Sequence, residues 1–202
     1  RINNPMATFK GIKGFTVQTL SSDPTTADSV GQFYFNSTSN TFKYVQPGTV
    51  GAWASGGALN TARNSLGAAQ AGTQTAGLVF GGEGSLKNET EEYNGTSWSE
   101  QNNLNTARAS IAGAGIQTAG LGFGGSPTSG GTTAVTEEYN GTSWSEQNDL
   151  NSARYGHKGG GIQTAALAFA GTTGGSNRLA VTEKYDGTSW TEVNDLNTAR
   201  VD

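Results

Sequence analysis

The residues of this chain that could do chemistry are few, and most of them recur. Glu91, Glu137 and Glu183 hold one place in successive stretches of sequence, and Arg63, Arg108, Arg154 and Arg200 hold another. A catalytic centre is normally singular. A charge repeated in every unit points instead to work that each unit needs, with Arg donors and Glu acceptors tying neighbouring loops together. The same repetition could also build a ring-shaped polar site for a ligand or cation. His157 is the only histidine, and there is no cysteine. One imidazole cannot make a two- or three-histidine metal centre, and no thiolate can help it. No nucleophile elbow accompanies it, so His157 reads as a loop residue at the start of a strand. The glycine runs lack the Gly-Lys-Ser/Thr of a phosphate loop. The expectation is a protein with no catalytic residue, no metal ligand and no cofactor.

The aromatic residues recur as well. Tyr93, Tyr139 and Tyr185 each precede a tryptophan, respectively Trp98, Trp144 and Trp190. Such rings can stack on sugars, but one pair per unit fits a core between units better. Asn-Gly-Thr at Asn94 and Asn140 matches a glycosylation acceptor, yet Asp186 stands in the third copy. A turn explains the pattern better.

The elements that must position these residues repeat with them. Tyr-Asn-Gly-Thr-Ser-Trp runs from Tyr93 to Trp98 and from Tyr139 to Trp144, and returns with Asp186 from Tyr185 to Trp190. Leu-Asn-Thr/Ser-Ala-Arg begins at Leu59, Leu104, Leu150 and Leu196. From Trp53 the tryptophans step by 45, 46 and 46 residues, a period that belongs to repeat architectures. In the unit 104–149, residues 109–115 are small and predict an inner strand at close approach. Residues 118–125 alternate with Leu121 and Phe123 on one face, and residues 134–139 with Val135, Glu137 and Tyr139 on one side. Asn140-Gly141 predicts a two-residue type I′ hairpin turn, with positive φ at both centres. Residues 142–146 then form the returning strand. Four short antiparallel strands per unit is the content of one propeller blade.

A Gly-Gly pair, then a tyrosine, then a tryptophan at this period resembles the kelch repeat. The residues are Gly81-Gly82, Tyr93 and Trp98; Gly124-Gly125, Tyr139 and Trp144; and Ala170-Gly171, Tyr185 and Trp190, where Ala170 departs from the pattern. The resemblance implies an all-β fold of kelch-like β-propeller blades, each four-stranded and antiparallel. Residues 51–202 hold the repeats, with units near 59–103, 104–149 and 150–195 and the start of another at 196. The structural repeat residues are the three tyrosines, the three tryptophans, Arg108 and Arg154. Kelch rings usually have six or seven blades, so an incomplete propeller is expected. It would be a piece of a longer array, or a homo-oligomer in which another chain completes the ring. The second and third units diverge most at 126–133 against 172–179, after the Gly-Gly position. A loop that varies on a constant frame is where binding is placed. The candidate binding residues are Ser126, Pro127, Thr128 and Ser129, and Thr172, Thr173, Ser176, Asn177 and Arg178.

Residues 1–50 do not share the period. Met6 reads as a start, with residues 1–5 upstream of it. Residues 15–20 predict a strand and 21–26 a loop. Residues 31–36 and 40–45 predict two strands joined at Ser37-Thr38-Ser39 as a hairpin. The run from Gly31 to Val45, ending in Trp53, resembles a small module of bacteriophage tail-fibre and other virion proteins. The Leu-Asn-Thr-Ala-Arg and Tyr-Asn-Gly-Thr-Ser-Trp array resembles predicted structural proteins of aquatic phages. These resemblances imply a non-enzymatic phage virion structural protein: a tail fibre, appendage or surface decoration. Residues 1–50 would attach it to other virion proteins at the particle surface. The repeats would mediate adhesion or host recognition by touching a host-surface glycan or protein. A cellular or secreted kelch module binding protein or carbohydrate is the alternative. The net charge of −4, with no Lys/Arg cluster, leaves no electrostatic footprint for nucleic acid. No apolar run approaches the roughly 18 residues of a transmembrane helix, so membrane insertion is not expected either.

Overall fold

The computed structural model describes residues 18–23, 33–44, 55–85, 87–127 and 130–201. The expectations placed on Met6, residues 15–17 and 24–32, Val45, Trp53, Thr128 and Ser129 lie outside the described residues. The chain divides into two compact units, Arg1–Ser55 and Gly56–Asp202. The described residues form strands and no helix.

In the first unit, β1 (Gln18–Leu20), β2 (Phe33–Asn36) and β3 (Thr41–Tyr44) form one sheet in that order. β2 and β3 pair antiparallel across a turn at 37–40, and β1 runs parallel to β2. The turn is held by its first residue. Asn36 Oδ1 accepts the backbone N–H of Thr38 and of Ser39, each at 3.0 Å. Asn40 closes it with φ 54°, a left-handed conformation that asparagine tolerates better than most residues. Asp23 accepts from Lys43 Nζ at 2.9 Å and from Tyr34 Oη and Asn36 Nδ2, both at 2.7 Å. These donors, Lys43 first, hold its carboxyl at about 2.

The second unit holds three four-stranded antiparallel sheets among the described residues. The first is β4 (Gly67–Ala68), β5 (Gly77–Gly82), β6 (Lys87–Tyr93) and β7 (Trp98–Gln101). The second is β8 (Ala112–Ile116), β9 (Ala119–Phe123), β10 (Thr136–Tyr139) and β11 (Trp144–Gln147). The third is β12 (Lys158–Ile162), β13 (Ala165–Phe169), β14 (Thr182–Tyr185) and β15 (Trp190–Val193). In each sheet the spatial order follows the chain, so every strand pairs with its sequence neighbours.

Small and large residues alternate along the second strand of each sheet, and the two faces do different work. Leu121 and Phe123 of β9 are fully buried. Alternating with them, Gly120 and Gly122 face the sheet before. A Cβ on Gly120 would lie 2.6 Å from Leu78 Cδ2, and one on Gly122 2.9 Å from Phe80 Cε2. The second sheet thus offers a bulky face forward and a bare face backward, whereas the first carries Ala68 and Val79 at the positions of Gly113 and Gly122. The first strands come closest. A Cβ on Gly113 would meet Ala68 O at 2.3 Å, and one on Gly159 would meet Phe123 Cζ at 2.4 Å. Glycine is required there because the neighbouring sheet has taken the space of a side chain.

The hairpin between the third and fourth strands differs from expectation. Tyr139 pairs with Trp144, so the loop has four residues, 140–143, and not two. Positive φ occurs at Gly141 (88°) and not at Asn140. Asn140 works through its side chain: Oδ1 accepts the N–H of Thr142 and of Ser143, both at 2.9 Å. Asp186 Oδ1 does the same for Thr188 and Ser189, at 2.9 and 2.8 Å. Any side chain with an acceptor oxygen at that atom closes this Asx turn, which is why Asn and Asp interchange.

Candidate functional site: the joints between sheets and the exposed loop

The recurring charged residues come together where the chain enters each sheet. Arg63, Arg108 and Arg154 each lie in the connection entering a sheet and reach the carboxylate on its third strand. Arg63 Nη2 donates to Glu91 Oε1 at 2.6 Å, Arg108 Nη2 to Glu137 Oε1 at 2.9 Å, and Arg154 Nη2 to Glu183 Oε1. All six side chains have no exposure to solvent. Burying such a pair costs a desolvation penalty that attraction alone rarely recovers. Main-chain acceptors supply further bonds: Arg154 Nη1 donates to Val181 O at 2.9 Å and Ala170 O at 3.3 Å, and Arg108 Nη1 to Gly124 O at 3.0 Å and to Val135 O. Burial still pulls Arg108 below its ordinary range, with Glu137 opposing it.

The second carboxylate oxygen takes the asparagine of Leu-Asn-Thr/Ser-Ala-Arg. Glu137 Oε2 accepts Asn105 N at 2.8 Å, and Glu183 Oε2 accepts Asn151 N at 2.7 Å and Nδ2 at 2.8 Å. The main chain of the same segment is anchored to the preceding sheet. Leu104 N donates to Asn88 O at 2.8 Å and Arg108 N to Lys87 O at 3.1 Å. Leu150 and Arg154 repeat this on Ala134 O and Thr133 O. The five-residue motif therefore holds one sheet by the backbone of its first and last residues and the next by the arginine side chain and the asparagine N–H.

The aromatic residues complete each joint. Trp144 stacks edge-on to Phe80, with ring centroids 4.8 Å apart, and its Nε1 donates to Thr90 Oγ1 at 2.9 Å. Trp190 lies 4.8 Å from Phe123 and donates to Thr136 Oγ1 at 3.0 Å. Tyr139 Oη donates to Glu92 and Tyr185 Oη to Glu138, at 3.0 and 3.2 Å. These bonds and burial, burial first, raise both phenols above the ordinary tyrosine range. Tyr139, Trp144, Tyr185 and Trp190 are buried, whereas Tyr93 and Trp98 are half-buried. Two partners escaped the sequence reading: the accepting threonines, and Gln117 and Gln163. Gln163 Nε2 donates back to Tyr139 O at 2.8 Å and Gly120 O at 3.0 Å. Their signal was the unvarying Ile-Gln-Thr at 116–118 and 162–164.

His157 is buried, at 2% exposure, immediately before β12, and lies 5.6 Å from the Phe123 ring. Neither ring nitrogen has a hydrogen-bond partner. Burial first, then the Arg154 charge, pushes it down to about 3. It holds the expected place in the connection just before a strand, but there it is a buried, neutral core residue. Among the described residues no group of three or more His, Asp or Glu side chains could hold a metal ion.

The candidate binding residues divide. Ser126 is buried and exchanges backbone hydrogen bonds with Ala109, at 2.7 and 2.9 Å. Thr172 is buried and pairs likewise with Tyr155, at 3.0 and 3.1 Å. Neither is a surface loop residue, because the bulge after the second strand pairs back onto the entering segment. Pro127 is half-buried, while Thr173, Ser176, Asn177 and Arg178 are exposed. The loop bearing them is built on its own bonds: Gly174 N donates to Thr172 Oγ1 at 3.0 Å, and Thr172 Oγ1 to Asn177 O at 2.7 Å.

No protein-family model matches the chain, and no curated protein matches it.

Proposed function

We propose that the three sheets are kelch-like β-propeller blades, with a period near 46 residues, in a non-enzymatic structural protein of a phage particle. In this reading residues 1–50 attach the protein to other virion proteins. The blades project from the particle surface and mediate adhesion or host recognition, with a host-surface glycan or protein as the partner. One observation carries it: each of the three recurring Glu–Arg pairs is buried, while Thr173 and residues 175–178 of the divergent segment stand exposed on that constant frame. Chemistry that is repeated and buried builds the scaffold; side chains that differ and face water are the ones left to make contacts. The resemblance of residues 31–53 to virion modules supports the phage assignment.

The experiment has two arms. Replacing residues 173–178 by Gly/Ser of equal length should lower adsorption of the protein to host cells at least about tenfold, since multivalent contacts amplify a weak site. Its far-UV circular dichroism should stay the same. Undiminished adsorption would remove the loop from the proposal. Mass spectrometry of purified particles tests the location, and absence from every particle preparation sinks the virion reading.

A further inference from the structure

Two of the three turns between third and fourth strands carry Asn-Gly, at Asn94-Gly95 and Asn140-Gly141, and the pair occurs nowhere else in the chain. The third turn carries Asp186-Gly187. Closing the turn needs only an acceptor oxygen, which either residue supplies. Asparagine brings something more: an acyl carbon with an amine that can leave. Both asparagines are exposed. Asn94 Oδ1 accepts the N–H of Thr96 and of Ser97, each at 2.9 Å, as Asn140 Oδ1 does from Thr142 and Ser143. The neighbouring groups are uncommitted. Among the described residues, Gly95 N and Gly141 N donate no hydrogen bond, and neither do the Nδ2 amines of Asn94 and Asn140. Gly95 and Gly141 sit at φ 92° and 88°, with no side chain to screen the amide nitrogen.

We propose that Asn94 and Asn140 are modification sites, at which the folded protein loses ammonia and becomes aspartate. Two fixed N–H donors stabilise charge as it develops on the oxygen they hold, and a nucleophile tethered by the chain reacts at high effective concentration. Hydroxide takes the proton of Gly141 N, and the nitrogen bonds to Asn140 Cγ. The negative charge collects on Oδ1, between the amides of Thr142 and Ser143. The Cγ–Nδ2 bond then breaks, and Nδ2 leaves as ammonia with a proton from water. A cyclic imide remains. Water opens it by breaking the bond between Gly141 N and Cγ, which yields aspartate. Breaking the bond from Gly141 N to the main-chain carbonyl carbon yields isoaspartate instead, with one more carbon along the backbone. Water is the only co-reactant, and Asn94 with Gly95 follows the same steps.

The third turn shows that the product fits. Asp186 holds Thr188 and Ser189 at 2.9 and 2.8 Å, and Tyr185 pairs with Trp190 as Tyr139 pairs with Trp144. Each conversion adds one negative charge to a protein whose net charge is −4. The asparagines of Leu-Asn-Thr/Ser-Ala-Arg stay intact. Asn105 and Asn151 precede Thr106 and Ser152, whose side chains crowd the attacking nitrogen. Their amines are also tied, Asn151 Nδ2 to Glu183 Oε2 at 2.8 Å and Asn105 Nδ2 to Trp144 O at 3.4 Å. One effect opposes the reaction, since the bonds that activate Oδ1 also hold the side chain still. The rate in the folded protein decides which effect wins.

The test is peptide mass spectrometry of the full chain, incubated folded and, in parallel, unfolded in urea at the same mildly alkaline pH. Asn94 and Asn140 should convert in the folded protein within about tenfold of the unfolded rate, and faster as the pH rises. Transient unfolding cannot supply that rate, because the unfolded fraction of a stable domain is below about one in a thousand. Conversion in the folded protein slower than a tenth of the unfolded rate means that the turn protects its asparagine, and overturns the proposal. Ser143→Pro removes one of the two amide donors. It should slow Asn140 severalfold, with Asn94 of the same molecule as the reference; an equal or faster rate refutes activation by the turn. Should that variant lose its circular dichroism, Gly141→Ala serves instead and should also slow Asn140 severalfold, and an unchanged rate there counts against the proposal. Asn140→Asp should match the converted protein in circular dichroism. A converted protein that loses its strand signal would refute the fit inferred from Asp186.

Discussion

The joint between the first and second sheets and the joint between the second and third are built alike, and only one of the buried positions at which they differ sets a polar ring against an apolar one. Phe80 meets Trp144 in the first and Phe123 meets Trp190 in the second, at the same 4.8 Å. Each indole bonds a threonine, each tyrosine a glutamate, and each Leu-Asn-Thr/Ser-Ala-Arg segment bridges the two sheets. At the start of the inner strand, however, Ile111 lines the first joint and His157 the second. The frame tolerates a polar ring in an apolar slot because the rest of the joint over-determines the fit. That tolerance has a cost which appears only when the ring is charged.

The sharpest way to break the equivalence is to remove the anchor on each side. Trp144→Ala and Trp190→Ala should each destabilise the protein by about 3–5 kcal/mol, as for other buried aromatics. Trp98→Ala, on the half-buried face, should cost under about 1.5 kcal/mol in the monomer, because less area leaves contact. Urea denaturation followed by circular dichroism measures all three. A gap above about 2 kcal/mol between the first two would show that the joints are not energetic equals.

Acid separates the joints by a smaller amount. His157 is depressed from its ordinary 6.5 to about 3 in the folded protein. A depressed histidine favours the fold fully above its unfolded value of about 6.5. That contribution is lost as the pH falls from there towards 3, because the unfolded chain takes up the proton first. By pH 5 the loss amounts to about 2 kcal/mol. His157→Ile copies the first joint into the second and should flatten the stability profile between pH 7 and pH 5. Equal pH dependence in the variant and the unaltered protein would mean that the ring is solvated when the joint forms.

The frame was largely legible in the sequence because its determinants are periodic. Alternation at Leu121 and Phe123 marks a strand with one bulky face, and a repeated Arg–Glu pair marks a structural tie. What escaped depends on register across sheets, which no single unit contains. Thr90 and Thr136 look like ordinary strand residues until a tryptophan from 54 positions away reaches them. His157 is a loop residue before a strand, as its sequence suggests, but nothing in its own unit shows that Phe123 of the previous sheet covers it. The divergent stretches are not uniformly exposed, and sequence divergence alone does not mark which of their residues face water. Ser126 and Thr172 vary between units and are nonetheless buried, since their backbones pair with Ala109 and Tyr155. The pairing of β1 with β2 is parallel, and a hairpin pattern carries no information about a third strand.

The smallest effect concerns the turn, where the two joints carry Asn140 and Asp186 in one role. Both use a side-chain oxygen to hold the two following amides. Asn140→Asp keeps that oxygen and should change stability by less than about 0.5 kcal/mol at neutral pH, as for surface substitutions that lose no bond. Asn140→Ala removes it and should cost about 1 kcal/mol, the worth of an ordinary hydrogen bond with local desolvation. The acid limb distinguishes the two acceptors. The amides of Ser189 and Thr188 hold the Asp186 carboxyl below its ordinary 3.8, so its contribution is present above that value and fades as the pH falls through the lowered one. Asn140 has no proton to gain. Asp186→Asn should therefore leave neutral stability unchanged and remove a part of the loss below pH 4, measured by denaturation against pH. A variant that loses stability at neutral pH would show that the charge, and not the acceptor oxygen, closes the turn.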